Sequence, residues 1–330
     1  MTLTGVGVAG CGRMGRPMLA ALRAAGLDAR GLDLRPPEDY GDLAPHMTDD
    51  PGAFAPGLRI LLTVVRDIAE TDTVLFGPRG LIARAPDLHT LVVCSTLAPG
   101  YIRALPARLP AGVALVDAPM SGAAIRAERR ELSFMLGGDA ATLDRLQPLF
   151  EAMGRSFHRM GPTGAGMSAK VLNNLLAASN TAMTRLVLDW ADAQGVDAGK
   201  LMALIDASSG QNWFASHFDE IEFARDGLAP DNTISILVKD VESALADAPP
   251  GADTALPRAV QDRLRALRPR RRARRAEPSK AVQQGPCKAL GPDQRSEQPP
   301  PNLFEEVCQR PDAAPAPVGH RREKALRPAA

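Results

Sequence analysis

From Thr4 to Asp117 short runs suited to β-strands ("TGVGVA", "DARGLDL", "LRILLTVV", "LHTLVVC", "GVALVDAP") alternate with helical stretches such as "GRPMLAALRAAG". That rhythm constrains the fold more than any other feature, because strands separated by helix-length segments pair in parallel and are covered by their crossover helices. The expected architecture is α/β, a doubly wound sheet. A further strand ("LSFML"), a helix beginning near Asp139 and a short strand ("SFHRM") extend the sheet to about Met160. The pattern then changes. From Ser168 to Gln194 the apolar positions Leu172, Leu175, Leu176, Met183, Leu186, Val187 and Trp190 recur at helical intervals, so one long helix is expected there, followed only by helices.

A chain of 330 residues is long enough for two domains, each with its own core. The net charge of +1 hides a division: from Arg268 onward there are 14 Lys and Arg against 7 Asp and Glu, and before it 25 against 31. The last 63 residues, which include "RPRRRARR", also hold 11 prolines and show no sustained period, which reads as a disordered tail. Cys11, Cys94, Cys287 and Cys308 have no metal-ligand spacing, so no metal site and no disulfide framework are expected. A reducing cytoplasm fits that cysteine usage. There is no basic leader and no apolar run of membrane-spanning length, so neither export nor a membrane partner is expected.

The first strand ends in "AGCGRMG", where Gly10, Gly12 and Gly15 form a GxGxxG pattern that opens a helix. Such glycines allow a tight turn, close approach of the backbone to a pyrophosphate, and contact between helix and strand. The pattern alone is weak evidence. Here it follows a strand, precedes a helix and is followed 18 residues after Gly15 by Asp33, at the end of the second strand. A carboxylate there accepts from an adenosine ribose and repels a 2′-phosphate, which favours NAD over NADP, although Arg35 stands two residues on.

"VDAPMSGA" closes the fifth strand with Ser121 and Gly122 at its carboxyl end, where open α/β sheets bind ligands. A serine hydroxyl and backbone N–H groups at such a turn can hold a carboxylate, though a Ser-Gly pair is often only a turn. "GAGMSAKVLNN" places Lys170 and Asn174 four residues apart on the first turns of the long helix, hence on one face. The lysine is either solvated at a helix start or held beside a substrate.

With "GVAGCGRMGRPM", "CSTLAPG", "DAPMSGA", "FMLGGD", "GPTGAGMSAKVLNN" and "ILVKDVESAL" in that order, the chain from Thr4 to Leu267 resembles the β-hydroxyacid dehydrogenases, the family of 3-hydroxyisobutyrate dehydrogenase and tartronate semialdehyde reductase. The resemblance implies a Rossmann-like NAD(P)-binding domain over 1–163, an all-helical substrate and dimerisation domain over 164–267, and the tail over 268–330. It further implies a cleft in which Lys170 is the catalytic acid/base, Ser121 and Gly122 bind the substrate carboxylate, and Asn174 steadies the substrate. Gly10, Gly12, Arg13, Met14, Gly15 and Asp33 would hold NAD, with NADP possible. Thr96 would lie by the nicotinamide, and Lys239 with Asp240 would reach the cleft from the second domain. The partners implied are a small hydroxy acid or its semialdehyde and, by analogy, further copies of the chain. Alcohol oxidation needs such a base, and desolvation beside a positive nicotinamide lowers a lysine from its ordinary value near ~10.4.

Several positions depart from the family. Ala123 stands where a second glycine is frequent and Arg130 where a small residue is usual, and both bear on substrate choice. Trp213, in "SSGQNWF", falls where the family often has a cleft-lining Ser-Trp pair, and is expected either to shape the pocket or to sit in the core. The Arg/Pro-rich text after Leu267 replaces the family's closing helices and is what a shifted reading frame in a GC-rich gene produces. Translation of the coding DNA in its other frames tests that. Rival expectations are an NAD-binding member with little or no turnover because its helical domain is incomplete and, a distant third, an interaction protein that binds nucleic acid or anionic lipid through "RPRRRARR"; arginine runs in proline-rich tails are usually just solvated, so no nucleic-acid partner is expected. Imine reductases generally lack the lysine, and the phosphate-binding set of 6-phosphogluconate dehydrogenases is not found.

Overall fold

The computed structural model describes residues 3–230 and 232–270, so nearly all of the tail lies outside the described residues. Strands β1 (Val6–Ala9), β2 (Ala29–Leu32), β3 (Met47–Thr48), β4 (Ile60–Thr63), β5 (Thr90–Val93) and β6 (Ala114–Asp117) pair in parallel in the order β3-β2-β1-β4-β5-β6. Every residue of β1, β4 and β5 is buried, as expected for parallel strands covered on both faces. One cover includes α1 (Gly15–Ala24), whose Met18, Leu19 and Leu22 pack on Val6, Val8 and Tyr40. The other includes α2 (Pro51–Phe54), α3 (Ile68–Phe76), α4 (Leu81–Arg84) and α5 (Pro99–Ala104), around Phe54, Leu61, Leu91 and Ile102.

The far side of the sheet is not parallel. A two-residue strand β7 (Met120–Ser121) is followed by α6 (Ala123–Glu128) and by β8 (Leu132–Gly137), which runs antiparallel to β6 at Asp117↔Gly137 and to β7 at Met120↔Phe134. After α7 (Ala140–Met153), β9 (Gly154–Gly161) pairs in parallel along the other edge of β8. "LSFML" and "SFHRM" are therefore strands, each built around one aromatic residue, Phe134 and Phe157, but their direction depends on pairing that no local pattern carries. β3 and β7 are too short to leave a period at all.

Helices only follow: α8 (Ala165–Ala193), α9 (Ala198–Asp206), α10 (Trp213–Ser216), α11 (Thr233–Ala246) and α12 (Ala255–Arg265). In α8 the buried face is made mostly of small residues, Ala178 and Ala182 among them, which let α11 approach closely with Ile234, Leu237 and Val241. Leu172, Leu176, Met183 and Trp190 point outward and are 57–64% exposed. Four of the seven large apolar residues that announce this helix in the sequence thus form an open stripe, while Leu175 packs against the core. Arg185 is buried instead, its guanidinium donating to the carbonyls of Ala224 and Asp226 at 2.8 Å and of Arg268 at 2.6 Å, which ties the loops of the helical part together. Among the described residues no helix is long and apolar enough to cross a membrane.

Two residues other than glycine have positive φ among the described residues, Ala123 (+53°) and Arg130 (+57°). These are the two positions where small residues or glycine are usual in the family that the sequence resembles. A left-handed conformation costs an L-residue about 1–2 kcal/mol, partly offset by the greater freedom glycine has when unfolded. Ala123→Gly and Arg130→Gly are each expected to stabilise the fold by about 1 kcal/mol in urea denaturation. Unchanged midpoints would show that neither backbone is strained.

Candidate active site

The carboxyl ends of the parallel strands carry the site. β1 and β4 are neighbours where the strand order reverses, which is where such sheets hold their ligands. Gly10 turns there with φ +91°, and a Cβ on it would stand 2.6 Å from the carbonyl oxygen of Val64, just past β4. A Cβ on Gly15 would collide with the Gly10 carbonyl oxygen, whereas one on Gly12 would meet nothing within 4 Å. No side chain caps α1. A close-packed turn, open on one side and backed by an uncapped helix start, fits a dinucleotide pyrophosphate.

Asp33 follows β2 half-buried, and its Oδ1 accepts from the backbone N–H of Arg35 at 3.2 Å and from Arg35 Nε at 3.3 Å. Arg35 Nη2 also donates to the Cys11 carbonyl at 2.9 Å, and the guanidinium lies 4.9 Å over the Tyr40 ring. Arg35 is therefore folded back onto Asp33 and the glycine turn. Burial, and then the Asp33 charge, push the Cys11 thiol up to about 12, so it packs as an inert apolar group. Met14 packs against the core beside α1, and Arg13 reaches away to Glu222, with Nη2 at 2.8 and 3.1 Å from its carboxylate oxygens.

The second cluster forms where α8 crosses the end of β6. Lys170 is 8% exposed and its Nζ donates to Ser121 Oγ at 3.0 Å. Burial holds its pKa below the ordinary lysine value, opposed by the Asp240 charge and reinforced by Lys239. Gly122, with φ +137°, follows Ser121 at the same turn, and the Arg126 stem occupies the space a Cβ would need. Asn174 Nδ2 donates to Asp240 Oδ2 at 2.6 Å, and its own Oδ1 accepts from Asn173 at 3.3 Å. Burial raises the Asp240 carboxyl above the usual range, against the pull of Lys239, Asn174 and Lys170. Both members of the buried Lys170 and Asp240 pair are thus pushed toward their neutral forms.

α11 closes the site from the helical part. Lys239 Nζ donates to the carbonyls of Thr96 at 3.1 Å and Arg66 at 3.2 Å, which lie just past β5 and β4, and stands 3.7 Å from Asp240 Oδ1. Thr96 therefore sits between the strand ends and α11. The structure brings Ser121, Gly122, Lys170, Asn174, Thr96 and Lys239 to one edge of the sheet, with Gly10, Gly12, Gly15 and Asp33 at the switch point of the same edge. Trp213 is neither core nor shown in contact with this cluster: it is 58% exposed and stacks on His217 at 5.6 Å. Asp117, which residue type and spacing did not single out, is fully buried beside the cluster, between Gly137 of β8 and Gly166 of α8, a tertiary fact without a local signature.

The chain is similar to known proteins over both of its parts. Residues 5–161 match the NAD-binding domain of 6-phosphogluconate dehydrogenase, and residues 164–276 match the NAD-binding domain of NADP-dependent 3-hydroxyisobutyrate dehydrogenase. A 3-hydroxyisobutyrate dehydrogenase of Pseudomonas aeruginosa is 31% identical over 255 residues, 74% of this chain and 86% of that protein. An L-threonate dehydrogenase of Cupriavidus necator is 30% identical over 248 residues, 74% of this chain and 83% of its own length. The solved structure of 3-hydroxyisobutyrate dehydrogenase from Mycobacterium tuberculosis with L-serine superposes with a TM-score of 0.67 at 27% identity, covering 79% of this chain and 92% of that one.

Proposed function

Because the chain belongs to the β-hydroxyacid dehydrogenases, NAD-binding oxidoreductases of CH–OH groups, we propose that it acts on a short β-hydroxy acid or the matching semialdehyde, with Lys170 as general acid/base. The observation that carries this reading is the buried Lys170 amine, 3.0 Å from the Ser121 hydroxyl at the ligand edge of the sheet. NAD held by the glycine turn and Asp33 would supply the hydride acceptor for oxidation and, as NADH, the hydride donor for reduction. Lys170, neutral, takes the proton of the substrate hydroxyl, and as ammonium gives it back to the carbonyl oxygen in reduction. Ser121 Oγ and the backbone at Gly122 hold the carboxylate. Asn174, locked by Asp240, presents its amide to the same small molecule. Gly10, Gly12 and Gly15, with Arg13 and Met14 in the turn, bind the pyrophosphate, Asp33 the adenosine ribose, and Thr96 and Lys239 border the nicotinamide.

Burial disfavours the ammonium, so the base form of Lys170 is present at lower pH than for a solvated lysine. Oxidation should rise with pH through that midpoint, and reduction should fall through it. Asp33 supports NAD as the preferred cofactor. A panel of 3-hydroxyisobutyrate, L-serine, L-threonate, glycerate and 3-hydroxypropionate, each with NAD and NADP, tests the proposal. The expected result is oxidation of at least one, faster with NAD. No oxidation of any of them, together with NADH binding, would select the inactive NAD-binding reading. The open stripe of Leu172, Leu176, Met183 and Trp190 supports self-association as part of the active form. Light scattering on the eluting protein checks it, and a monomer would instead favour the incomplete, inactive member.

A further inference from the structure

Among the described residues six helices cap their own N-termini with a side chain: Asp50, Asp67, Asp139, Asp197, Asn212 and Asn232 each accept from a backbone N–H of the first turn. α8 does not, because its N-cap is Gly164, held at φ +94°. Its first turn is satisfied from outside. Asp117, the last residue of β6, accepts from Gly164 N at 2.7 Å through Oδ1 and from Met167 N at 2.6 Å through Oδ2. One carboxylate thus spans both ends of the first turn of a helix that belongs to the other half of the molecule.

The surroundings are shaped around this contact. Gly137, paired with Asp117 across β6 and β8, has no room for a Cβ because the Asp117 carboxylate fills that space. Gly166 likewise faces Asp117 O, Met135 O and Gly137 N, so the helix backbone lies directly against the strands. Met167 sends its sulfur to the backbone N–H of Leu97 at 3.3 Å, next to Thr96. Ser121 lies four residues beyond Asp117 on the strand side, and Lys170 one turn beyond Met167 on the helix side, ~4.5 Å along the axis. The Lys170 to Ser121 contact of 3.0 Å is therefore set by a rigid path that passes through Asp117.

We propose that Asp117 is a positioning residue: it clamps the first turn of α8 to the end of β6 and so holds the Lys170 amine, dehydrated, against Ser121. This rests on the acid/base reading of Lys170. The charged groups that face the amine are Asp240 and Lys239 of α11, with the Ser121 hydroxyl from β7, and a change at Asp117 leaves all three in place. Glutamate cannot substitute, since the Gly137 backbone already bounds the carboxylate. Asparagine keeps the shape, but turns an N–H group toward a backbone donor, so one of the two helix-start N–H groups loses its acceptor.

The test is the pH dependence of acetylation by acetic anhydride at Lys170 and at exposed Lys200, read by mass spectrometry in the full chain. In the parent, Lys170 should become reactive at lower pH than a free lysine peptide in the same reaction, with acetylation of exposed Lys200 serving to normalise the yield. In Asp117→Asn the Lys170 midpoint should move toward that of the free peptide, and kcat for L-serine or 3-hydroxyisobutyrate should fall by about 100-fold, the scale of a misplacement near 1 Å, with NADH affinity unchanged. A midpoint that stays where the parent has it would overturn the clamp, even if the melting temperature fell. Should Asp117→Asn fail to fold, Gly164→Ala, which keeps the carboxylate and displaces its N–H partner, carries the same expectation and the same overturning result. Lys170→Met assayed alongside separates the two ideas: full activity there defeats the acid/base reading, whereas an inactive Lys170→Met with an unmoved midpoint in the Asp117 variant defeats the clamp alone.

Discussion

Lys170→Met is expected to lower kcat for hydroxy-acid oxidation by about 10³-fold, the usual contribution of a positioned proton-transfer group. Methionine retains most of the stem and removes only the amine, so the buried shape is kept. NADH binding, followed by fluorescence, should be unaffected, because the glycine turn and Asp33 are untouched. The melting temperature should change little, because methionine fills the space of the stem and Asp240 keeps Asn174 and Lys239 as partners. Loss of turnover in a protein that is no less stable can only be chemical. Turnover within a factor of two of the parent would remove Lys170 from the mechanism.

Gly15→Ala should produce the largest structural effect. A Cβ there meets the Gly10 carbonyl oxygen, and behind it the Val64 side chain, so no flexible side-chain end can yield. The strain appears either as displacement of α1 from β1 or as a reshaped turn. We expect a loss of about 3 kcal/mol in urea denaturation and a weakening of NAD binding by at least roughly 100-fold, since the pyrophosphate is approached by backbone. Gly12→Ala is the contrast, because its Cβ would enter open space. It should fold normally and weaken only the dinucleotide. Equal behaviour of the two variants would show that the turn is not a pyrophosphate cradle.

What could be read in the sequence divides by the range of the interactions involved. The glycine turn, Asp33, the Ser121 turn and the Lys170/Asn174 pair are written within a few residues of one another, and each stands where its motif places it on the sheet edge. The first five major strands and the long helix are legible for the same reason, since their patterns are local and periodic. The reversal of β8 was not, because it is decided by which edge a strand meets. Nor was the outward turn of Leu172, Leu176, Met183 and Trp190: period predicts that a helix has a face, and the small residues Ala178 and Ala182 decide which face α11 covers. Asp117 was invisible for a third reason. An aspartate at a strand end is ordinary, and only its two partners 47 and 50 residues away show its use.

The reversal of β8 also shapes how the crevice can open. Because β7, β8 and β9 run on past the end of β6, the Ser121 side is walled by continuous backbone ladders rather than by a loop. The opposite side is closed by single side-chain links: Lys239 to the Thr96 and Arg66 carbonyls, Arg13 to Glu222, and Arg103 to Asp247. One jaw is masonry and the other is latched. The wall that carries Ser121 thus rests on main-chain pairing, and the side that faces it rests on side chains.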